Sequence, residues 1–177
     1  MEKETLARAI CEAAYLQGEF KLRSGQTSDR YFDKYLFESD PALLGAIAEH
    51  LAPLVPKGTE ALAGLEMGGI PVATALSLAT GIPVAFVRKK AKDYGTRKLA
   101  EGIGLTGRKV CVIEDVVTTG GQILQSAADL REEGACVDAV LSVIERDANG
   151  RRNLEAAGLT YYSLFEMNDL LPNYKKN

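Results

Sequence analysis

Two adjacent acids stand at the end of an apolar run and directly precede a turn of threonines and glycines, in the segment VCVIEDVVTTGGQ at residues 110–122. The carboxylates of Glu114 and Asp115 can accept hydrogen bonds from the vicinal hydroxyls of a ribose. The glycines let the backbone approach an anion closely, and the N–H groups at the start of a following helix bind phosphate. The segment therefore predicts a ribose-5-phosphate site. The alternative is an ordinary strand-to-helix turn that contains acids and glycines.

The elements that would position this segment alternate between strand and helix patterns. A helix is predicted over residues 4–16, and Asp40 before Pro41 predicts an N-cap that opens a helix to about Leu54. Such alternation implies right-handed crossovers and a largely parallel sheet flanked by helices, with ligands beyond the carboxyl ends of the strands. The predicted strands are Ala61–Leu65, Pro83–Val87, Val110–Ile113, Val137–Ile144 and Tyr161–Phe165, and the predicted helices between them lie near Pro71–Ala79, Gly121–Glu133 and Arg152–Ala157.

Composition narrows the class of protein. The chain has 177 residues, 46% of them hydrophobic, and no Ser-rich, Pro-rich or charged linker divides it, so we expect a single domain over residues 1–177. The charged, amphipathic N-terminal stretch has no apolar signal core, and no apolar run reaches membrane-spanning length, which favours a cytoplasmic protein. A net charge of −3 gives no overall attraction to nucleic acid. Cys11, Cys111 and Cys136 lack metal-ligand spacing and are expected to be buried, reduced thiols.

The sequence argues against several other common kinds of site, because either the motif or the structural context that the motif requires is missing. Gly102, Gly104 and Gly107 match the dinucleotide pattern GxGxxG, but they precede a predicted strand and open no helix, so a flexible loop is predicted there. No G-x-x-x-x-G-K-[ST] string occurs, which excludes a P-loop kinase or NTPase. His50 is the only histidine and sits in a helical pattern, which argues against a zinc site and a Ser-His-Asp triad.

The string VCVIEDVVTTGGQ resembles the phosphoribosyl diphosphate (PRPP) binding motif of the type I phosphoribosyltransferases. Four further segments are similar to the orotate phosphoribosyltransferases and follow the same order: FKLRSGQTSDRYFD, GLEMGGIPVATALS, VRKKAKDYG and LSVIER. The resemblance extends from about Leu16 to Tyr162. The PRPP motif specifies only the superfamily, and the N-terminal segment and the basic segment specify the narrower family.

The resemblance implies an α/β type I phosphoribosyltransferase fold with a small N-terminal hood segment and a flexible catalytic loop. It implies Mg²⁺-dependent transfer of the phosphoribosyl group from PRPP to orotate, giving orotidine 5′-monophosphate and diphosphate, in pyrimidine synthesis. Lys92, Glu114 and Asp115 would be catalytic, and Mg²⁺ would be held mainly by PRPP and water, with no direct protein ligand. The PRPP-binding residues implied are Arg88, Lys89, Lys92, Tyr94, Glu114, Asp115, Val116, Val117, Thr118, Thr119, Gly120, Gly121 and Gln122.

The same resemblance implies an orotate site made of Arg23, Tyr31, Phe32, Thr118 and Arg146. An aromatic wall and an arginine fork suit a planar anion. Arg23 stands where many family members carry lysine, so a cation is retained with a different reach. Taken alone, Tyr31 and Phe32 would fit core aromatics, and Arg146 would fit a surface residue. Tyr94 stands where some members have histidine, and its phenol can donate a hydrogen bond but carries no positive charge near neutral pH.

Residues 92–107 (KDYGTRKLAEGIGLTG) form a stretch of about sixteen polar, glycine-punctuated residues, long for a simple connection. The stretch resembles the family's catalytic loop, which closes over the site and excludes water. In the family this loop serves the neighbouring subunit's site, so a homodimer with shared sites is implied. Two alternatives stay open: a phosphoribosyltransferase for another base, such as a purine, and a non-catalytic regulator of this fold that senses PRPP or a nucleotide.

Overall fold

The computed structural model describes residues 1–22, 24–90 and 99–174, and the side chains of 171–174 are not part of that description. The helices are α1 (Lys3–Ala14), α2 (Lys34–Glu38), α3 (Pro41–Leu51), α4 (Gly69–Thr80), α5 (Gly121–Glu132), α6 (Ala148–Ala156) and α7 (Met167–Tyr174), with a 3-10 turn over Ala52–Leu54. The strands are β1 (Tyr15–Lys21), β2 (Thr27–Phe32), β3 (Ala61–Leu65), β4 (Val84–Val87), β5 (Ala100–Gly102), β6 (Lys109–Val117), β7 (Cys136–Glu145) and β8 (Thr160–Glu166). Among the described residues, no helix has the length and apolar content needed to cross a membrane.

The central sheet has six strands in the order β5-β4-β3-β6-β7-β8. All neighbouring pairs are parallel except β4 with the edge strand β5, which is antiparallel. Helices cover both faces, so the middle strands must be apolar on both sides, and every residue of β3 is buried. One core cluster lies between the sheet and α1, α3 and α4, and a second lies between the sheet and α5 and α6. The α/β class with a largely parallel sheet is confirmed.

Local sequence signals explain several boundaries. Asp40 caps α3 as predicted, because its Oδ1 accepts hydrogen bonds from the N–H groups of Ala42 at 2.8 Å and Leu43 at 3.1 Å. Pro41 at the first helical position has no N–H to satisfy. The helix ends at Leu51 and continues as the 3-10 turn to Leu54.

All five predicted strands exist, but some boundaries differ. β6 was expected to stop at Ile113 and instead runs to Val117, so Glu114 and Asp115 lie within the strand rather than after it. The strand is longer because β7 continues beside it, with Glu114 opposite Ser142 and Val117 opposite Glu145. The helix expected over residues 4–16 ends at Ala14, because the chain enters β1 there. β1 and β2 form a separate antiparallel sheet at the position of the expected hood segment.

The expectation of a flexible loop over residues 92–107 is wrong for the second half of that stretch. Residues 100–102 pair with β4, and the N–H of Arg88 donates to the carbonyl of Leu99 at 2.9 Å. Leu99 and Leu105 are only 5% and 6% exposed, because they pack into the second core cluster. Two leucines in a polar stretch were the signal for this packing. The expectation of a buried Cys136 is also wrong, because it is exposed, whereas Cys11 and Cys111 are buried.

This packing predicts that Leu99→Ala lowers the free energy of unfolding by about 2–4 kcal/mol, because a buried side chain is removed and a cavity remains. Leu78→Ala is the matched control, since Leu78 is 84% exposed and its truncation should change stability by less than about 0.5 kcal/mol. Urea-induced unfolding followed by circular dichroism measures both. Equal effects of the two substitutions would mean that residues 99–105 are a solvated loop.

Candidate active site

Asp115 is fully buried near the carboxyl end of β6 and keeps its charge through specific partners. The ammonium of Lys34, the first residue of α2, forms an ion pair with Asp115 Oδ2. The N–H of Val116 donates to Asp115 Oδ1 at 2.6 Å. Burial favours the neutral acid, but hydrogen bonds from Glu114, Glu38 and Lys34 outweigh it and lower the pKa of Asp115. Asp115 is therefore a fixed, ionised carboxylate.

Glu114 lies beside Asp115 and is half-buried. Its Oε1 accepts a hydrogen bond from the N–H of Asp115 at 3.1 Å. Burial raises the pKa of Glu114 well above its usual value, and the hydrogen bond with the Asp115 side chain raises it further. The two acids thus differ in proton affinity, because a single lysine compensates only one negative charge.

Gly68, just before α4, leaves the space that the Asp115 carboxylate occupies. A Cβ atom on Gly68 would lie 1.6 Å from Asp115 Oδ2 and 2.4 Å from its Cγ. The φ of Gly68 is −68°, a value that any residue adopts, so the requirement for glycine is one of space. The carboxylate cannot swing away easily, because Lys34 and the backbone of Val116 hold both of its oxygens.

The turn from Thr118 to Gly121 joins β6 to α5 as predicted. Gly120 has a φ of +77°, a left-handed conformation that favours glycine. Since this N-cap residue has no side chain, the first N–H groups of α5 are left open to an anion. The turn is supported from the α6 side: Asn153 Nδ2 donates to Thr119 O at 3.0 Å, and Gly150 packs so closely that a Cβ on it would lie 2.5 Å from Thr118 O.

Two clefts meet at this turn. The smaller one, of about 180 Å³, is lined by Glu114 and residues 116–123. The larger one, of about 370 Å³, shares Val116 and Thr118 with the smaller cleft. Its lining is Leu22, Ser28, Arg30, Tyr31, Phe32, Asp33, Lys34, Tyr35, Val116, Thr118 and Arg146. Four of the five residues expected at the base site, Tyr31, Phe32, Thr118 and Arg146, therefore line one cleft.

The aromatic residues of the larger cleft have different environments. Tyr31 is 44% exposed, and its ring lies 5.5 Å from that of Phe20. Phe32 is half-buried and packs against the first core cluster. The guanidinium of Arg146 lies 5.7 Å from the centroid of the Phe32 ring, and the backbone N–H of Arg146 donates to Val117 O at 2.8 Å. Phe32 thus supports Arg146 from the core, while Tyr31 presents its ring to the opening.

Arg88 and Lys89 follow β4, two strands from β6 at the same edge of the sheet. Arg88 Nε lies 3.5 Å from Glu101 Oε1 on β5. The N–H of Lys89 donates to Glu66 Oε1 at 2.5 Å. Glu66 therefore ties the turn before α4 to the end of β4. This contact leaves the Lys89 side chain exposed.

Three residues expected in the site, Arg23, Lys92 and Tyr94, lie outside the described residues. Conversely, the structure adds Lys34, Glu38 and Gly68, which the sequence analysis missed. A signal was present, because Lys34 and Glu38 are four residues apart on α2 and therefore share a face, directly after the aromatic pair. Within residues 1–22, 24–90 and 99–174, no group of three or more His, Cys, Asp or Glu side chains could hold a metal ion.

Comparisons with known proteins agree on one family. A family model described as phosphoribosyl transferase domain matches residues 40–163. An orotate phosphoribosyltransferase from a Nocardioides species is 52% identical over 155 residues, covering 88% of this chain and 87% of the relative. The orotate phosphoribosyltransferase of Mycobacterium tuberculosis in complex with Fe(III) dicitrate superposes with a TM-score of 0.86 at 32% identity, covering 95% of this chain and 98% of the other. The same enzyme in complex with PRPP gives a TM-score of 0.82 at 29% identity, covering 95% and 98%.

The close approach at Gly68 predicts that Gly68→Ala lowers the free energy of unfolding by about 1–3 kcal/mol, because the added methyl displaces a pinned carboxylate. Gly45→Ala, in the exposed part of α3 with nothing within 4 Å of its Cβ position, is the control and should stabilise the protein by about 0.5–1 kcal/mol. Urea unfolding of both variants makes the comparison. A Gly68→Ala protein as stable as Gly45→Ala would contradict the packing around Asp115.

Proposed function

Since the chain belongs to the orotate phosphoribosyltransferase family, we propose that it transfers the 5-phosphoribosyl group from PRPP to orotate. A bond forms between a ring nitrogen of orotate and the anomeric carbon of the ribose, and the bond from that carbon to the diphosphate oxygen breaks. The proton that this nitrogen carried leaves with the diphosphate. The products are orotidine 5′-monophosphate and diphosphate. In the proposal, residues 1–177 act as one domain, and the reaction is a step of pyrimidine synthesis. The proposed location is the cytoplasm, because substrates this highly charged do not cross membranes unaided.

The two clefts share Val116 and Thr118 in their linings, and this shared wall is the main support for the proposal. One cleft contains an acid beside a helix N-terminus, which suits a ribose that carries a phosphate. The other contains aromatic rings and Arg146, which suit a planar anion. A base and an anomeric carbon bound in these clefts would be held next to each other, as transfer requires. The relative from Mycobacterium tuberculosis that binds PRPP with the same fold supports this arrangement.

The ribose ring gains oxocarbenium character when the bond to diphosphate breaks, so groups that hold the ring hydroxyls lower the barrier if they bind the transition state more tightly. Glu114 and Asp115 take this role in the proposal. Asp115 is ionised and fixed, and Glu114 lines the phosphate cleft. The backbone of Val116–Gln122 holds the 5′-phosphate at the start of α5, with the Thr118 and Thr119 hydroxyls as additional donors.

The leaving diphosphate needs positive charge. Arg88 and Lys89 supply it from the end of β4, and Lys92 and Tyr94 complete the set in the proposal. Mg²⁺ neutralises diphosphate charge when it is bound. In the proposal this ion is held mainly by PRPP and water.

Orotate would occupy the larger cleft. Its carboxylate lies against Arg146 in the proposal, and its ring lies against Tyr31 and Phe32. Thr118 borders both clefts and can donate to the base at the point where it meets the ribose. Arg23 completes the base site in the proposal as a second cation.

The proposal predicts that orotate alone among orotate, uracil and hypoxanthine supports diphosphate release from PRPP in the presence of Mg²⁺. The reason is the cationic, aromatic lining of the larger cleft, which favours an anionic base over a neutral one. A coupled diphosphate assay with each base measures the rate. Turnover with hypoxanthine and none with orotate would overturn the base assignment, and no turnover with any base would favour the regulator.

We propose further that the protein is a homodimer in which Lys92 acts in the partner's site. Lys92→Ala and Asp115→Asn should each be nearly inactive as homodimers. A mixed dimer rebuilds one native site, so random re-association of equal amounts should restore about a quarter of wild-type activity, since about half of the dimers are mixed. Each variant alone must stay at its baseline after the same unfolding and refolding. Confirmed subunit exchange without recovered activity would contradict a shared site.

A further inference from the structure

Glu38, the last residue of α2, is a buried acid without an evident donor. It is 5% exposed, and among the described residues neither of its carboxyl oxygens receives a hydrogen bond from an N–H or O–H group. An ionised carboxylate in such a place would be neither solvated nor hydrogen-bonded, which is unfavourable. A neutral carboxylic acid in the same place has a proton to donate and needs only an acceptor.

Asp115 is that acceptor. A Cβ atom on Gly68 would lie 1.6 Å from Asp115 Oδ2 and 3.0 Å from Glu38 Oε1, so the two carboxyl groups converge on the same point above Gly68. Two carboxyl groups this close cannot both ionise without strong repulsion, and a shared proton between them is the stable arrangement.

The charges around the pair decide which acid keeps the proton. Lys34 lies one helical turn before Glu38 on α2, and its ammonium is directed to Asp115. The negative charge therefore resides on Asp115 and the proton on Glu38. Consistently, burial and the hydrogen bond with Asp115 raise the pKa of Glu38 to about 9.

The other elements around α2 do not change this balance. From β6, Asp115 and Glu114 face Glu38 and disfavour its ionisation, and Lys34 on α2 itself acts in the opposite direction. The helices α1 and α3 pack against α2 through the apolar cluster that includes Phe37. The titratable group buried on α1 is Cys11, whose thiol donates to Leu170 O at 3.2 Å and whose pKa is raised to about 11 by burial and then by Glu12.

We propose that Glu38 is a positioning residue that remains protonated and donates a hydrogen bond to Asp115. Together with Lys34, it fixes the Asp115 carboxylate directly beside Glu114, the acid that lines the smaller cleft. Lys34 supplies the charge, and Glu38 supplies a directional donor from the other side. The role of Asp115 toward ribose rests on the proposed function, whereas the proton on Glu38 does not.

The proton on Glu38 is tested by stability, independently of activity. The folded protein holds this proton up to a pH of about 9, whereas the unfolded chain releases it near the ordinary value of 4.5. The contribution of Glu38 to wild-type stability therefore falls as pH rises between these values, because the folded state keeps a proton that the unfolded chain has released. Glu38→Gln has the same shape and a donor but no proton to release, so its melting temperature relative to wild type should increase from about pH 5 to about pH 8.5.

The control for this measurement is Glu60→Gln. Glu60 is exposed and precedes β3 at the opposite edge of the sheet from Asp115. Its difference in melting temperature from wild type should stay constant over the same pH range. A constant difference for Glu38→Gln as well would show that Glu38 is ionised in the folded protein, and the proposal would fail.

The positioning role is tested by the steady-state kinetics of Glu38→Gln and Glu38→Met. The methionine side chain has a volume similar to that of glutamate but no hydrogen-bond donor. Glu38→Gln should keep kcat within about threefold of wild type near neutral pH and should lose the wild-type decline that accompanies ionisation of Glu38 above about pH 9. Glu38→Met should lower kcat about tenfold or more, with a smaller change in the KM for PRPP, because the lost hydrogen bond acts on a charged group that matters most in the transition state.

Equal kcat values for Glu38→Gln and Glu38→Met would overturn the positioning role. If Glu38→Met does not fold, the pH dependence of kcat for Glu38→Gln decides alone, since retention of the wild-type alkaline decline would also overturn it. Failure of the proposed function would be distinguishable from failure of the positioning role. The wild-type protein itself would then release no diphosphate with orotate, while the melting curves would still report whether Glu38 carries the proton.

Discussion

The ion pair between Lys34 and Asp115 is the interaction on which the arrangement of the site depends. A carboxylate that is fully buried at the end of a parallel strand is costly unless a cation and hydrogen bonds accompany it. The short helix α2 brings the cation, the backbone of Val116 brings one donor, and Gly68 leaves room for the carboxylate. Two distant segments of the chain, α2 and the turn before α4, are thus constrained by one charge on β6.

Parallel topology explains why these segments meet. The carboxyl ends of β3, β4, β6 and β7 lie at one edge of the sheet, and the turns that follow them carry Gly68, Arg88, Thr118 and Arg146. The small sheet of β1 and β2 adds Tyr31 and Phe32 from the N-terminal side. The smaller and the larger cleft can then share a wall, because Val116 and Thr118 come from the strand and turn that separate them.

The sequence predicted the elements of the fold that are encoded locally. The strand-turn-helix around Asp115 and the cap at Asp40 each lie within a few consecutive residues, so their patterns are visible without the fold. The partners of Asp115 were missed, because Lys34 and Glu38 precede it by more than 70 residues and only the fold brings them to it. β5 was missed for a related reason: its pairing with β4 is a tertiary contact, and its own composition is polar and rich in glycine.

The turn between β6 and α5 has a rigid support behind it. Asn153 holds the carbonyl of Thr119, the backbone of Gly150 closes on Thr118, and the N–H of Arg146 is bonded to Val117. The turn is therefore organised before any anion arrives, and little conformational entropy remains to be lost when one binds. Under the proposed function, a turn fixed in this way would select among anions mainly by their shape, because N–H groups held in place cannot rearrange to suit a different geometry.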